Sequence, residues 1–248
     1  MSEQIPLRLA MWSGPRNIST AMMRSWGNRS DTIVCDEPLY AHYLSVTGRD
    51  HPGAAEVIQA GPADVGEAIR RLIAPLPPGK NIFYQKHMAH HLLPDMDRAW
   101  LKQLTNCFLL RDPKQVIPSY IKHVTDPTLN DTGYPQQAEL FELVRGWTGK
   151  TPPVIDACDV LENPRGILSR LCEAVGVPFT DAMLSWPPGL RPTDGIWAKY
   201  WYQEVQTSTG FRPYRAKSLP VPDNLRPLIE ACQELYERMY AHRIRIVN

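Results

Sequence analysis

Apolar positions along this chain fall into two patterns. Residues 7–12, 32–35, 81–84, 106–110 and 153–157 are short, nearly continuous apolar runs with the length expected of buried strands. Between them, apolar residues recur every three or four positions, the spacing that lines one face of a helix. The clearest case is near the C-terminus, where Leu225, Leu228, Ile229, Cys232, Leu235, Tyr236, Met239 and Tyr240 share a face. Val65, Ala68, Ile69, Leu72 and Ile73 repeat the pattern. So do Ile167, Leu168, Leu171 and Val175, opened by Pro164 and stopped by Gly176 and Pro178. Strand followed by helix, several times over, predicts an α/β fold whose crossover helices join parallel strands. Residues 36–61, 124–135 and 187–222 remain as long connections. Ligands of open α/β sheets bind beyond the carboxyl ends of the strands, so an acceptor is expected among these connections.

Composition narrows the class. A length of 248 residues suits one domain with a sizeable core, and 43% hydrophobic with 21% charged residues is the balance of a globular chain. The 24 prolines concentrate in stretches such as Pro75-Leu76-Pro77-Pro78-Gly79, Trp186-Pro187-Pro188-Gly189 and Leu219-Pro220-Val221-Pro222, which read as stiff loops. A net charge of +1 supplies no basic field for sequence-independent nucleic-acid binding, so any anion site must be local. Cys35, Cys107, Cys158, Cys172 and Cys232 are scattered and form no Cys-x-x-Cys pair, which reads as five reduced core residues. No apolar run approaches the roughly 20 residues of a membrane span. The apolar start, residues 5–12, is broken by Arg8 and lacks a cleavage pattern, so a cytoplasmic location with no membrane partner is expected. A homo-oligomer is compatible with all of this.

The first strand runs into Ser13-Gly14-Pro15-Arg16-Asn17-Ile18-Ser19-Thr20 and then a helical stretch, residues 21–26. A strand, a tight loop and a helix N-terminus aim backbone N–H groups and the positive end of the helix dipole at one place, which favours an anion. Arg16 adds a permanent charge, and Ser19 and Thr20 add hydroxyls. The competing account is a helix capped by Ser19 or Thr20 beside a solvated arginine. A Walker A loop would need Gly-Lys-Ser/Thr, and that is missing.

A second candidate follows the fourth strand. Arg111-Asp112-Pro113-Lys114 ends the strand, and Ser119-Tyr120 lies about two helical turns further on. Locally this also fits an Arg–Asp pair and a helix capped at Asp112 with proline in its first turn.

The two motifs together resemble those of the sulfotransferase family that uses 3′-phosphoadenylyl sulfate. That family carries a Pro-Lys/Arg-Ser-Gly-Thr-Thr loop for the 5′ phosphosulfate and Arg-x-Pro-x-x-x-x-x-Ser for the 3′ phosphate. Pro15 to Thr20 matches the first in part. Arg111 to Ser119 matches the second, with the same five-residue gap after Pro113. Gln85-Lys86-His87 resembles the family's Lys-x-His strand end. Asp159-Val160-Leu161-Glu162-Asn163-Pro164 with Leu171-Cys172 resembles its Glu-Asp-Leu and Leu-Cys stretches, and Gly195-Ile196-Trp197-Ala198-Lys199 its late Gly-x-x-Gly-x-Trp-Lys loop. One departure stands out: Ile18 occupies the place of a loop glycine, and isoleucine adopts positive φ only at a cost.

The resemblance implies a three-layer α/β sandwich, P-loop-like, with a parallel sheet in a single domain. It implies transfer of a sulfuryl group from 3′-phosphoadenylyl sulfate to a hydroxyl or amine of a small-molecule acceptor, without a metal. Gly14, Pro15, Arg16, Asn17, Ile18, Ser19 and Thr20 would hold the phosphosulfate, with Arg16 also stabilising the leaving group. Arg111 and Ser119 would hold the 3′ phosphate, and Lys199 would also touch the donor. His87 is the first choice of base, since imidazole titrates near neutrality, and Glu37 the second. A zinc site at His87, His90 and His91 would lack a fourth ligand. Tyr40, Tyr43, Trp186, Trp197, Trp201 and Tyr202 either enclose an acceptor and stack on adenine or pack in the core. Two rivals remain: a phosphotransferase or nucleotide hydrolase with Asp36 on magnesium, and a non-catalytic nucleotide-binding domain, suggested by Ile18.

Overall fold

In a computed structural model, which describes residues 6–62, 64–215 and 221–246, the five apolar runs become the strands of one parallel sheet. Residues 216–220, which include Leu219 and Pro220 of one proline stretch, lie outside the described residues, as does Ile5. The strands are β1 (Leu7–Ser13), β2 (Thr32–Asp36), β3 (Ile82–Met88), β4 (Thr105–Leu110) and β5 (Val154–Asp156), in the order β2-β3-β1-β4-β5. β3 runs four residues past its expected end, carrying Gln85, Lys86 and His87 into a buried strand. Tertiary partners make this tolerable: Gln85, for example, donates to the Leu72 carbonyl at 2.8 Å.

The helices in chain order are α1 (Ser19–Gly27), α2 (Tyr40–Thr47), α3 (Ala54–Ala60), α4 (Val65–Ile73), α5 (Pro113–Tyr120), α6 (Tyr134–Thr148), α7 (Ala157–Glu162), α8 (Pro164–Ala174), the short α9 (Ala198–Trp201) and α10 (Gln203–Gln206), and α11 (Arg226–Tyr240). Those over residues 65–73, 164–175 and 225–240 are legible from periodicity, and that over 21–26 from its place after the loop. α6 is not, because Tyr134-Pro135 reads as the end of a loop. In the fold Pro135 sits in the first turn, where its missing N–H costs no helical bond.

Side chains alternate across each strand, so the sheet has two apolar faces. Ala10, Trp12, Phe83, Phe108 and Val154 pack against Leu72 of α4, Leu140 and Phe141 of α6, and Ile229, Cys232 and Met239 of α11. Leu9, Met11, Tyr84, Leu109 and Ile155 pack against Met22, Met23 and Trp26 of α1 and Leu168 and Leu171 of α8. Helices on both sides of one sheet make the three-layer α/β sandwich. Three of the cysteines are buried as expected; Cys35 and Cys158 are half-buried, and all five are free. Among the described residues no helix is long and apolar enough to cross a membrane.

This topology decides where a site can form. The chain leaves β1 through α1 toward β2 on one side of the sheet, and leaves β4 through α5 toward β5 on the other. Diverging connections open a crevice at the carboxyl ends of β1 and β4, which are hydrogen-bonded neighbours with Ser13 opposite Leu109. Gly14 starts the loop there because nothing larger fits: a Cβ would stand 2.6 Å from the Thr132 carbonyl oxygen. Gly14→Ala is expected to destabilise the fold by about 1–3 kcal/mol, seen as a lowered urea midpoint; an unchanged midpoint would show that the Thr132 backbone yields freely.

Candidate active site

The loop between β1 and α1 and the motif that ends β4 are joined by direct contacts. Arg16 Nε donates to Ser119 Oγ at 3.1 Å, and Arg111 donates to the Arg16 carbonyl at 2.8 Å. The loop is braced from below: Asn17 donates to the Leu109 carbonyl at 3.0 Å and accepts from the Ile18 N–H at 2.8 Å. From α6, Gln137 donates to the carbonyls of Trp12 and Leu109, and Tyr134 to that of Arg111. Sequence reasoning missed both α6 residues.

The residue before α1 is Ile18, and no side chain caps the helix among the described residues, so Ser19 and Thr20 are not its caps. Its first N–H groups therefore have no capping partner, at the helix end that follows the β1 loop. Ile18 is not asked for positive φ: its φ is −85°, and the left-handed turn falls on Arg16, at φ 56°. The glycine-like conformation falls on the residue that carries the charge.

Asp112 caps α5 through the Lys114 N–H, with Pro113 in the first turn, so the local account of this segment holds too, alongside the contacts to Arg16. Arg111 pairs with no carboxylate among the described residues; its second contact is Gln115 at 3.5 Å. Burial lowers its proton affinity, and Arg16 lowers it further. A cavity of about 140 Å³ opens beside it, lined by Arg111, Gln115, Asp156, Tyr214 and Tyr236 among others.

The carboxyl ends of β2 and β3 carry a second cluster. Lys86 Nζ reaches Asp36 at 2.9 Å, Glu37 at 2.5 Å and the Tyr202 hydroxyl at 2.6 Å. The side chains of Lys86 and Asp36 are each 1% exposed, that of Glu37 11%. Burial raises the proton affinity of Glu37 against the pull of Lys86, and Asp36 raises it further. Burial opposes the charge on Lys86, but Asp36 and Glu37 hold it well above its usual value. Glu37 has φ 41°, an uncommon state for a non-glycine residue and one that precedes Pro38. Two strand spacings separate it from the β1 loop, roughly 10 Å along the sheet edge.

Several expected site residues lie elsewhere. His87 neighbours Lys86 in β3 and so faces the opposite side of the sheet, 1% exposed and stacked on Trp12 at 4.2 Å. Burial pushes its pKa down to about 3. It packs as a core residue, whereas Glu37 lies at the carboxyl end of β2. Lys199 bonds Glu56 at 2.6 Å, is half exposed, and makes no contact with Arg16 or Arg111. Asp36 is not free for a cation: its oxygens accept from Lys86, Tyr202 and the Gly195 N–H at 3.0 Å. Among the described residues no group of three or more His, Cys, Asp or Glu side chains is placed to hold a metal. Of the aromatics, Trp186 bonds Ser208 and packs on Phe211, whereas Tyr40, Tyr43, Trp197 and Trp201 gather with His51 and His91 beside Glu37.

Residues 7–243 match the family described as a sulfotransferase domain. Two Arabidopsis thaliana relatives, branched-chain-amino-acid aminotransferase-like proteins 1 and 2, are 33% and 32% identical over 232 and 233 residues. These matches cover 93% of this chain but 41% of either relative, so the chain spans about two fifths of their length. Solved structures share the fold at low identity. The sulfotransferase domain of the Synechococcus PCC 7002 olefin synthase superposes with a TM-score of 0.52 at 15% identity, covering 99% of this chain and 98% of that one. A sulfotransferase from Alicyclobacillus acidocaldarius superposes with a TM-score of 0.54 at 12% identity, covering 96% and 97%.

Proposed function

Because this chain belongs to the sulfotransferase family, we propose that it moves a sulfuryl group from 3′-phosphoadenylyl sulfate to a hydroxyl or amine of a small-molecule acceptor. The observation that carries this reading is the meeting of the two anion motifs, Arg16 on Ser119 and Arg111 on the Arg16 carbonyl. Two guanidiniums, the N–H groups at the start of α1 and the hydroxyls of Ser19, Thr20 and Ser119 form one basic, donor-rich crevice. Such a donor set suits a ligand with phosphate at two ends. The cavity of about 140 Å³ beside Arg111 is where the nucleoside between them would begin to be housed.

In the transfer the acceptor oxygen or nitrogen bonds to sulfur as the bond from sulfur to the bridging phosphate oxygen breaks. Negative charge grows on the departing phosphate, where Arg16 and the α1 N–H groups offset it without reorganising. The acceptor's proton must leave, and Glu37 is the carboxylate at the strand edge with an oxygen to take it. The aromatic cluster of Tyr40, Trp197 and Trp201 beside Glu37 would hold the apolar part of the acceptor. Magnesium at Asp36 finds no support, because that carboxylate is already saturated by protein donors.

Adenosine 3′,5′-bisphosphate at about a hundredfold excess over its Kd should raise the melting temperature by roughly 5–10 °C, and ATP with magnesium by much less. Arg111→Ala should abolish that rise, whereas Lys199→Ala should leave it within about 1 °C. No rise in the unaltered protein, or a rise indifferent to Arg111, would remove the donor from this reading.

A further inference from the structure

The cluster behind Glu37 is closed except at one point. An ammonium has three hydrogens, and Lys86 directs them to Asp36, Glu37 and the Tyr202 hydroxyl. The Tyr202 hydroxyl has one hydrogen and two lone pairs. It donates to Asp36, whose oxygens lie at 2.6 and 2.7 Å, and accepts from Lys86 and from Trp197 Nε1 at 3.3 Å. Asp36 is completed by the Gly195 N–H. Glu37 alone has capacity to spare: Oε1 takes Lys86, and Oε2 has no hydrogen bond among the described residues. Every group but one is fixed, and the free one belongs to the carboxylate read here as the base.

Tyr202 reaches this cluster from the C-terminal end of α9, within the connection that follows α8. That connection is tied to the donor side as well. Asp194 makes a two-pronged ion pair with Arg24 of α1, at 2.5 and 2.6 Å, with both side chains 3% exposed or less. One strap thus joins the helix that opens the anion crevice to the cluster that orients Glu37.

We propose that Tyr202 is a positioning residue for the transfer step: its hydroxyl locks Asp36 and Lys86 together so that Lys86 presents to Oε1 of Glu37 and Oε2 is left for the acceptor's proton. The inference rests on the reading of Glu37 as the base. The charged and titratable groups facing Glu37 are Lys86 from β3, Asp36 from β2, Tyr40 from α2 and Tyr202 from the end of α9. Removing the Tyr202 hydroxyl leaves the Asp36 charge less well answered and draws Lys86 toward it, away from Glu37. The Glu37 carboxyl then holds its proton to higher pH.

The test is a carbon-13 carboxyl NMR titration of the full chain, with the Glu37 signal assigned by its loss in Glu37→Gln. In Tyr202→Phe the Glu37 midpoint should rise by about one pH unit, and kcat should fall while bisphosphate affinity stays within about twofold. 3-Fluorotyrosine at position 202 disturbs packing least. It is a stronger donor to Asp36 and a weaker acceptor from Lys86, so the midpoint should move down. A purely structural role would lower the melting temperature and leave the midpoint in place in both proteins, and that result overturns the proposal. If the unaltered protein binds no bisphosphate, the donor reading fails but the titration still reports on Tyr202. If the bisphosphate binds and the midpoint is unmoved, only this inference falls.

Discussion

Glu37→Gln should slow sulfuryl transfer by roughly 10²- to 10⁴-fold while leaving the stabilisation by adenosine 3′,5′-bisphosphate intact. Glutamine has the shape of glutamate, and its carbonyl oxygen can still accept from Lys86, so the cluster behind it keeps its geometry. What disappears is a basic lone pair at the position of Oε2. The donor contacts of Arg16 and Arg111 lie in the β1–β4 crevice, two strands away, and are not touched. The measurement pairs single-turnover transfer of labelled sulfuryl, using an acceptor found by screening, with melting curves in bisphosphate. Full turnover in the variant would move proton removal to another group. His123, exposed and with its ring 5.5 Å from that of Trp201, would be the next to alter.

The second large effect is on stability in acid. His87 and His90 are buried, each with an unpartnered Nδ1, and burial pushes both pKa values down to about 3; burial and His90 push that of His91 down as well. A histidine whose folded pKa lies below its unfolded value of about 6.5 favours the folded state fully above that value. The contribution is lost as pH falls from there toward the folded pKa. For His87 the whole displacement is worth roughly 5 kcal/mol, comparable to the net stability of many domains. The urea midpoint is therefore expected to fall steeply between about pH 6.5 and 4. His87→Phe keeps a ring against Trp12 but cannot charge, so its stability should depend less on pH, by about 1.4 kcal/mol per pH unit. At neutral pH it should cost about 1–3 kcal/mol, because the Gln85 carbonyl oxygen loses its 3.2 Å partner. Parallel pH profiles for the two proteins would mean that His87 does not drive acid unfolding.

His87 also shows where reading a sequence stops. Gln85-Lys86-His87 is recognisable as a strand end rich in useful chemistry, but the sequence does not say that His87 is packed on Trp12 while Lys86 meets Asp36 and Glu37. Strand alternation puts Lys86 and His87 on opposite faces, but which face holds the chemistry depends on where α1 packs. A buried lysine also demands carboxylates, and Asp36-Glu37 at the end of another apolar run was the available pair. That signal is legible in the sequence, although the pairing itself is not. The contributions of Tyr202, Asp194, Gln137 and Thr132 were not legible, since each acts across more than a hundred residues of chain on groups it meets only after folding.

The sequence by itself determined the local elements: five short apolar runs with the length of strands, helical faces at residues 65–73, 164–175 and 225–240, and two anion motifs of recognisable spacing. These follow from short-range rules of burial period, capping and loop chemistry, which act within a few residues. The tertiary structure alone decided that β1 and β4 are neighbours, so that Arg16 and Arg111 meet. It also decided that the loop's left-handed turn falls on Arg16 rather than Ile18, that Lys199 pairs with Glu56, and that His87 is core while Glu37 meets Lys86. The reason is that proximity between residues distant in the chain is set by strand order and by which face each helix covers. Those outcomes minimise exposed apolar surface over the whole molecule, and no local segment encodes them.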